Sequence, residues 1–226
     1  MKDLLLDLLF PPKCAFCGKL LDFSGSVCPA CEANLPYREE KTTLTAIGEN
    51  QYLCARTFYY DSMVRTGIRA LKFGKKSWRA KVFSRYVAQT AAEQLSGKFD
   101  AVTYVPVSWQ RNFSRGFDQA RLLAEGTAEI WGQRAEPTLR KIRHTRAQST
   151  LDNPHARKQN IKGAYAVRDP AKVRGRRFLL IDDVCTTGST LAAAADALAA
   201  AGTEGVVCAV LAGGHAKMEK ETGPLA

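Results

Sequence analysis

The sequence predicts an α/β chain: a doubly wound, mainly parallel sheet with a small N-terminal metal-binding module. Three observations predict it. From Tyr59 onward, apolar runs of strand length alternate with segments of helical period, the pattern of strands joined by crossover helices. The run Phe178–Asp182 ends in two adjacent carboxylates, and a glycine six residues after Asp182 opens a new helix. Four cysteines stand as C-x2-C-x10-C-x2-C between Cys14 and Cys31, ahead of all this. At 226 residues and 46% hydrophobic, the chain can bury one medium core and carry a small appendage.

The N-terminus, MKDLLLDLLFPPK, is apolar but broken by Asp3 and Asp7 and lacks a small-residue cleavage site. It fits a short amphipathic helix ended by Pro11 and Pro12, not a signal peptide. No run approaches the ~20 apolar residues that span a bilayer, so a cytoplasmic protein without membrane insertion is expected. Paired C-x2-C turns aim four sulfurs at one ion, and Cys14, Cys17, Cys28 and Cys31 suit tetrahedral, structural zinc. A redox C-x-x-C or an iron–sulfur cluster shares these ligands; the former wants a βαβ setting and the latter the same spacing. An odd total of seven cysteines argues against a disulfide framework. A segment so short lacks a core of its own, so metal would hold it together. Residues 1–50 are read as this module and its connector, and 51–226 as the main domain.

Val64, Ile68 and Leu71 fall at helical spacing, and a second helix runs from about Trp78 to Leu95. Between them, Lys72-Phe73-Gly74-Lys75-Lys76 breaks the pattern inside a stretch, Arg65–Arg85, that holds eight cations and no acid. Most of these charges suit solvated helix faces; Lys72 is singled out for its place at a helix end. Phe99–Val107 is read as a strand closed by Pro106, followed by a turn with Arg111, Arg115 and Gly116. Gln119–Trp131 is helical, Arg140–Gly163 a polar basic stretch without period, and Tyr165–Val167 a short strand. A stretch of that length fits a lid, with Arg146, Gln148, Arg157 and Asn160 able to close over a ligand. Phe178–Asp182 is the buried strand, Thr190–Ala201 an alanine-rich helix ended by Gly202, and Val206–Leu211 the last strand.

Asp182 and Asp183 thus arrive at a strand end, and Thr186-Thr187-Gly188-Ser189-Thr190 offers backbone N–H groups and hydroxyls at a helix N-terminus, a ready anion site. Carboxylates beside a phosphate cradle should face sugar hydroxyls, a metal ion, or both. A ribose 5-phosphate carrying a magnesium-bound pyrophosphate asks for all of this. An Asp-Asp strand end also occurs in phosphate-transfer folds, but those lack the TTGST turn, and a P-loop would need a Gly-Lys-Ser/Thr that is absent. The stretch FLLIDDVCTTGSTL resembles the phosphoribosyl pyrophosphate (PRPP) motif of type I phosphoribosyltransferases.

Five segments in order, FPPKCAFCG with CPAC, ALKFGKK, VPVSWQRNFSRGFDQARLLA, RAQSTLDNPHARKQNIKGAYAV and IDDVCTTGSTL, make the whole chain similar to the ComF family. That resemblance implies a zinc-ribbon-like region joined to a type I phosphoribosyltransferase domain. It implies Asp182 and Asp183 on the ribose hydroxyls, Thr186–Thr190 on the 5-phosphate, and Arg115-Gly116 on pyrophosphate, with Mg²⁺ bridging PRPP oxygens. Lys72 joins the ligand-binding set, and Arg146 joins Asp182 and Asp183 as a candidate for the chemistry. The reaction implied is transfer of phosphoribosyl to a nitrogen acceptor. Thr186 stands where 6-oxopurine salvage enzymes place an aspartate base, which argues against a close purine-salvage analogue. Family ties to natural competence add two alternatives, a PRPP or nucleotide binder without turnover and a single-stranded-DNA-associated factor. The net charge of +11 suits DNA and PRPP equally. Where the family usually has Asn, this chain has Asp118, an acid expected to weaken phosphate contact there.

Overall fold

The computed structural model describes residues 11–22, 25–39, 44–73, 77–107, 116–143, 161 and 163–214. Six strands form the main sheet: β1 (Leu44–Ile47), β2 (Tyr52–Tyr59), β3 (Ala101–Tyr104), β4 (Ala135–Glu136), β7 (Arg177–Cys185) and β8 (Gly205–Gly213), in the spatial order β1-β2-β8-β7-β3-β4. Every pairing is parallel except β1 with β2. β5 (Leu139–Lys141) and β6 (Tyr165–Val167) make a separate antiparallel ribbon. The doubly wound architecture expected from the sequence is therefore the observed one.

β7 and β8 are central strands covered on both faces, which is why each is a nearly unbroken run of apolar residues instead of an alternating one. One face packs under α2 (Ser62–Phe73), α3 (Trp78–Leu95) and α4 (Gln119–Ile130). The other packs under α5 (Ser189–Ala200) and the β5–β6 ribbon. The alanines of α5 leave no bulky side chain on its sheet side, so Ala194, Ala195 and Leu198 are completely buried.

The cysteine-bearing segment joins the first core. Ala15 and Phe16 are fully buried, and the Phe16 ring lies 5.8 Å from Phe58, 5.2 Å from Phe83 and 6.0 Å from Tyr86. Burying a phenylalanine this completely contributes about 2–3 kcal/mol. A short helix, α1 (Pro29–Glu32), begins at Cys28 and carries Cys31.

Several expected bounds shift. The strand expected over Phe99–Val107 pairs only over Ala101–Tyr104, because Pro106 has no N–H to continue the ladder. β7 runs on to Cys185, so both acids belong to the strand itself. The stretch from Arg140 was read as irregular, yet Leu139–Lys141 is a strand. The β1–β2 hairpin, ahead of the first helix predicted in the main domain, was not foreseen. Expectations for residues 1–10, Arg111, Arg115 and 144–160 lie outside the described residues.

Candidate functional site

Asp182 and Asp183 sit near the carboxyl end of β7, where open parallel sheets place their ligands. The Asp183 N–H donates to Asp182 Oδ1 at 2.8 Å. Lys72, the last cation of α2, closes on Asp183 with Nζ 2.7 Å from Oδ2. The helix-end lysine singled out in the sequence is thus brought to the paired acids. Burial and the adjacent Asp183 push the Asp182 pKa well above the usual carboxylate range, against the pull of Lys72.

Asp118 is a third carboxylate at this edge. Its Oδ1 accepts from Arg121 N at 3.2 Å, capping α4, and its Oδ2 accepts from Val107 N at 2.9 Å. The acid that looked misplaced for phosphate contact is therefore spent on backbone, tying the β3 exit to the start of α4. Burial raises its pKa too, and the charge of Asp183 adds to the push. Gly116 stands two residues before it with φ 82°.

After β7 the chain turns through Thr186 and Thr187, both exposed, to Gly188, the N-cap of α5. Gly188 has φ 75°, and a Cβ there would lie 2.9 Å from two carbons of Ile47. Glycine is required twice over, by the left-handed backbone and by the β1 side chain pressed against it. Thr187 and Ser189 share a hydroxyl hydrogen bond of 2.9 Å, and Ser189 and Thr190 begin the helix. The turn thus gathers hydroxyls at a helix N-terminus. Cys185, below it, is buried, and its thiol interacts with that of Cys54 on β2. That contact, with help from Arg56, brings the Cys185 pKa down to about 7 although burial opposes it.

The four N-terminal cysteines form a second constellation. Their Sγ atoms all lie within 4.8 Å of one another. Cys17 Sγ and Cys28 Sγ are 3.8 Å apart, and a tetrahedron with Zn–S bonds of 2.3 Å has edges of about 3.8 Å. The donor set and its dimensions fit structural zinc. Among the described residues this is the one group of three or more cysteines, histidines or acids whose ligand atoms are close enough together to hold a metal. Arg79 of α3, 1% exposed, donates from Nη1 to the carbonyls of Ala15 and Phe16, inside the first cysteine turn.

A doubly wound sheet with paired acids before a hydroxyl-rich glycine turn, joined to a four-cysteine module, defines a phosphoribosyltransferase-type domain carrying a zinc ribbon. Residues 126–224 match the family model of the phosphoribosyl transferase domain, and residues 5–42 that of the double zinc ribbon domain. The chain is 30% identical over 192 residues to the DNA utilization protein YhgH of Salmonella typhi, covering 82% of this chain and 83% of that protein. It is 27% identical over 187 residues to competence protein F of Haemophilus influenzae, covering 80% and 75%. To competence protein ComFC of Bacillus subtilis it is 25% identical over 187 residues, again covering 80% and 75%. The chain belongs to the ComF family.

Proposed function

We propose that this protein binds PRPP at the carboxyl edge of β7 and transfers its phosphoribosyl group to a nitrogen acceptor. The observation that carries the reading is the juxtaposition of Asp182 and Asp183 with the Gly188 turn at the start of α5. In this reading the two aspartates accept from the ribose 2- and 3-hydroxyls. The hydroxyls and N–H groups of Thr186, Thr187, Gly188, Ser189 and Thr190 hold the 5-phosphate. Arg115 and Gly116, after β3, serve the pyrophosphate, and Arg146 joins the aspartates in the chemistry.

Oxygen donors of the paired acids suit a hard cation such as Mg²⁺, which would neutralise charge on the departing pyrophosphate. Lys72 holds Asp183 in the ligand-free protein and offsets part of the repulsion between the adjacent acids. The acceptor nitrogen's lone pair forms the C1–N bond as the C1–O bond breaks. Its electron pair leaves on pyrophosphate, and the acceptor's proton passes to solvent. Exclusion of water decides whether transfer or hydrolysis follows.

The test is calorimetric titration of PRPP with Mg²⁺ into the zinc-loaded protein, beside an Asp182→Asn, Asp183→Asn double variant. Losing two charge-assisted hydrogen bonds, each worth about 1.5–3 kcal/mol, should weaken binding by roughly 100-fold or more. Equal affinity in both proteins would remove the aspartates from the site. No binding in either would end the transferase reading.

A second reading, association with single-stranded DNA, draws on the printed names of the relatives and on two aromatic side chains. Phe73, 67% exposed, and Trp78, 42% exposed, flank residues 74–76, and exposed rings beside cations stack on bases. That binding should fall steeply between low and moderate salt.

A further inference from the structure

The carboxyl ends of β2 and β8 lie side by side, with Tyr59 opposite Gly213 and, across β8, Gly213 opposite Cys185 of β7. Two arginines converge there. Arg38, from the segment leaving the cysteine module, is 7% exposed. Its Nη1 donates to Gly214 O at 3.0 Å, and its guanidinium stands 4.4 Å from the centre of the Tyr59 ring. Arg56, from β2, lays its side chain across Gly213. A Cβ at Gly213 would sit 2.5 Å from Arg56 Cδ and 3.3 Å from Arg38 Nη1. The missing side chain is what admits both arginines.

Burial and the neighbouring Arg56 lower the Arg38 pKa, and the groups opposing that push are weak acids, Tyr59, Cys185 and Cys54. The Arg56 Nε is buried and has no hydrogen-bond partner. The place is also adjacent to the phosphate turn. Gly214 donates to Cys185 O at 3.0 Å, and a Cβ on Gly214 would lie 3.9 Å from Thr186.

We propose that Arg38 and Arg56 form an oxyanion subsite that recognises a carboxylate or phosphate carried by the acceptor. The inference rests on the phosphoribosyl-transfer reading. In the order β2-β8-β7-β3, β7 holds the ribose, and the turn after β3, on one side, serves the pyrophosphate. Displacement at carbon brings the incoming nitrogen from the side opposite the leaving group. That side lies over β8 and β2, where the two guanidiniums are. Planar forks of this kind bind an oxyanion in two-pronged fashion. The anion takes no part in bond exchange: C1–N forms, C1–O breaks onto pyrophosphate, and the nitrogen's proton is released. The anion fixes where the nitrogen lies.

The test uses full-length, zinc-loaded protein saturated with ribose 5-phosphate and titrated with matched probes. Nicotinate against nicotinamide and anthranilate against aniline form the carboxylate arm; aminophenyl phosphate against aniline forms the phosphate arm. At least one charged probe should bind about ten-fold more tightly than its neutral partner, the scale of one charge-assisted hydrogen bond. That preference should vanish in Arg38→Gln and in Arg56→Gln with ribose 5-phosphate affinity kept. Because Arg38 also anchors Gly214, Arg56→Gln decides the matter if Arg38→Gln does not fold. No charge preference in the wild type, or a preference both variants retain, overturns the subsite. So does loss of pyrophosphate affinity in the variants, which would put the arginines on the leaving-group side. Failure of ribose 5-phosphate itself to bind would instead strike the transferase reading on which the subsite depends.

Discussion

Arg79 and Arg38 are both buried, and each spends a guanidinium N–H on a backbone carbonyl of a distant segment. Their company differs. Arg79 faces the Cys14 and Cys17 thiols of the zinc cluster, which oppose the lowering of its pKa by burial. Arg38 faces a second arginine. Around Arg79 the charge influences are cysteine thiols, whose anionic form would favour its charge; around Arg38 the largest is another cation. Burial alone therefore does not tell a structural arginine from a binding one. The sign of the neighbouring charge does.

The largest effect should come from breaking the cysteine side. Arg79→Met leaves the Ala15 and Phe16 carbonyls without their donor and strips the cation from the thiolates. Leaving two buried carbonyls without their donor costs about 1–3 kcal/mol each. Urea unfolding should show it, and zinc should pass faster to a chromogenic chelator. Unchanged release would mean Arg79 is a packing residue only. Phe16→Ala, which removes the ring between Phe58 and Phe83, should cost a comparable 3–5 kcal/mol, roughly, without that direct electrostatic effect on the thiolates.

On the other side the outcomes are smaller and partly of opposite sign. Arg38→Gln should lose about 1–2 kcal/mol with its hydrogen bond to Gly214. Arg56→Gln, which relieves repulsion and surrenders no hydrogen bond among the described residues, should leave stability within about 0.5 kcal/mol of wild type or raise it. Equal losses in the two would erase the contrast.

Asp182→Asn sharpens the same point with an acid. Its folded pKa lies above the ordinary value, so the native chain holds more protons than the unfolded one. Stability is then greatest below the unfolded pKa and is lost as pH rises through the folded value. The substitution should flatten that slope, leaving the part due to Asp118, and raise the neutral-pH melting temperature of the ligand-free protein while weakening PRPP binding roughly ten-fold or more. A lower melting temperature at neutral pH would contradict it.

How much of this was legible in the sequence depended on how local the cause was. The 18-residue helix Trp78–Leu95 was read with its bounds because its period is long and uninterrupted. The cysteine spacing and the acid–glycine run were legible because their chemistry is written within a few dozen residues. The β1–β2 hairpin was not, since β2 buries residues on both faces and shows no alternation. Lys72 could be picked as a helix end, but its partner Asp183 could not. Arg38 and its acceptor Gly214 are 176 residues apart, and no local pattern announces a meeting at that range. Asp118 was noticed as a departure, but its tie to Val107 N, eleven residues back, was not legible. Glycines followed by nothing obvious, such as Gly213, were the available hint of a close approach.

Ile47 occupies the space a side chain at Gly188 would need. It belongs to β1, on the chain leading out of the cysteine module, while Gly188 belongs to the turn that opens α5. The strand after the cysteine segment and the turn before α5 are therefore fitted to each other: any side chain at 188 would have to displace Ile47 as well as adopt a left-handed backbone.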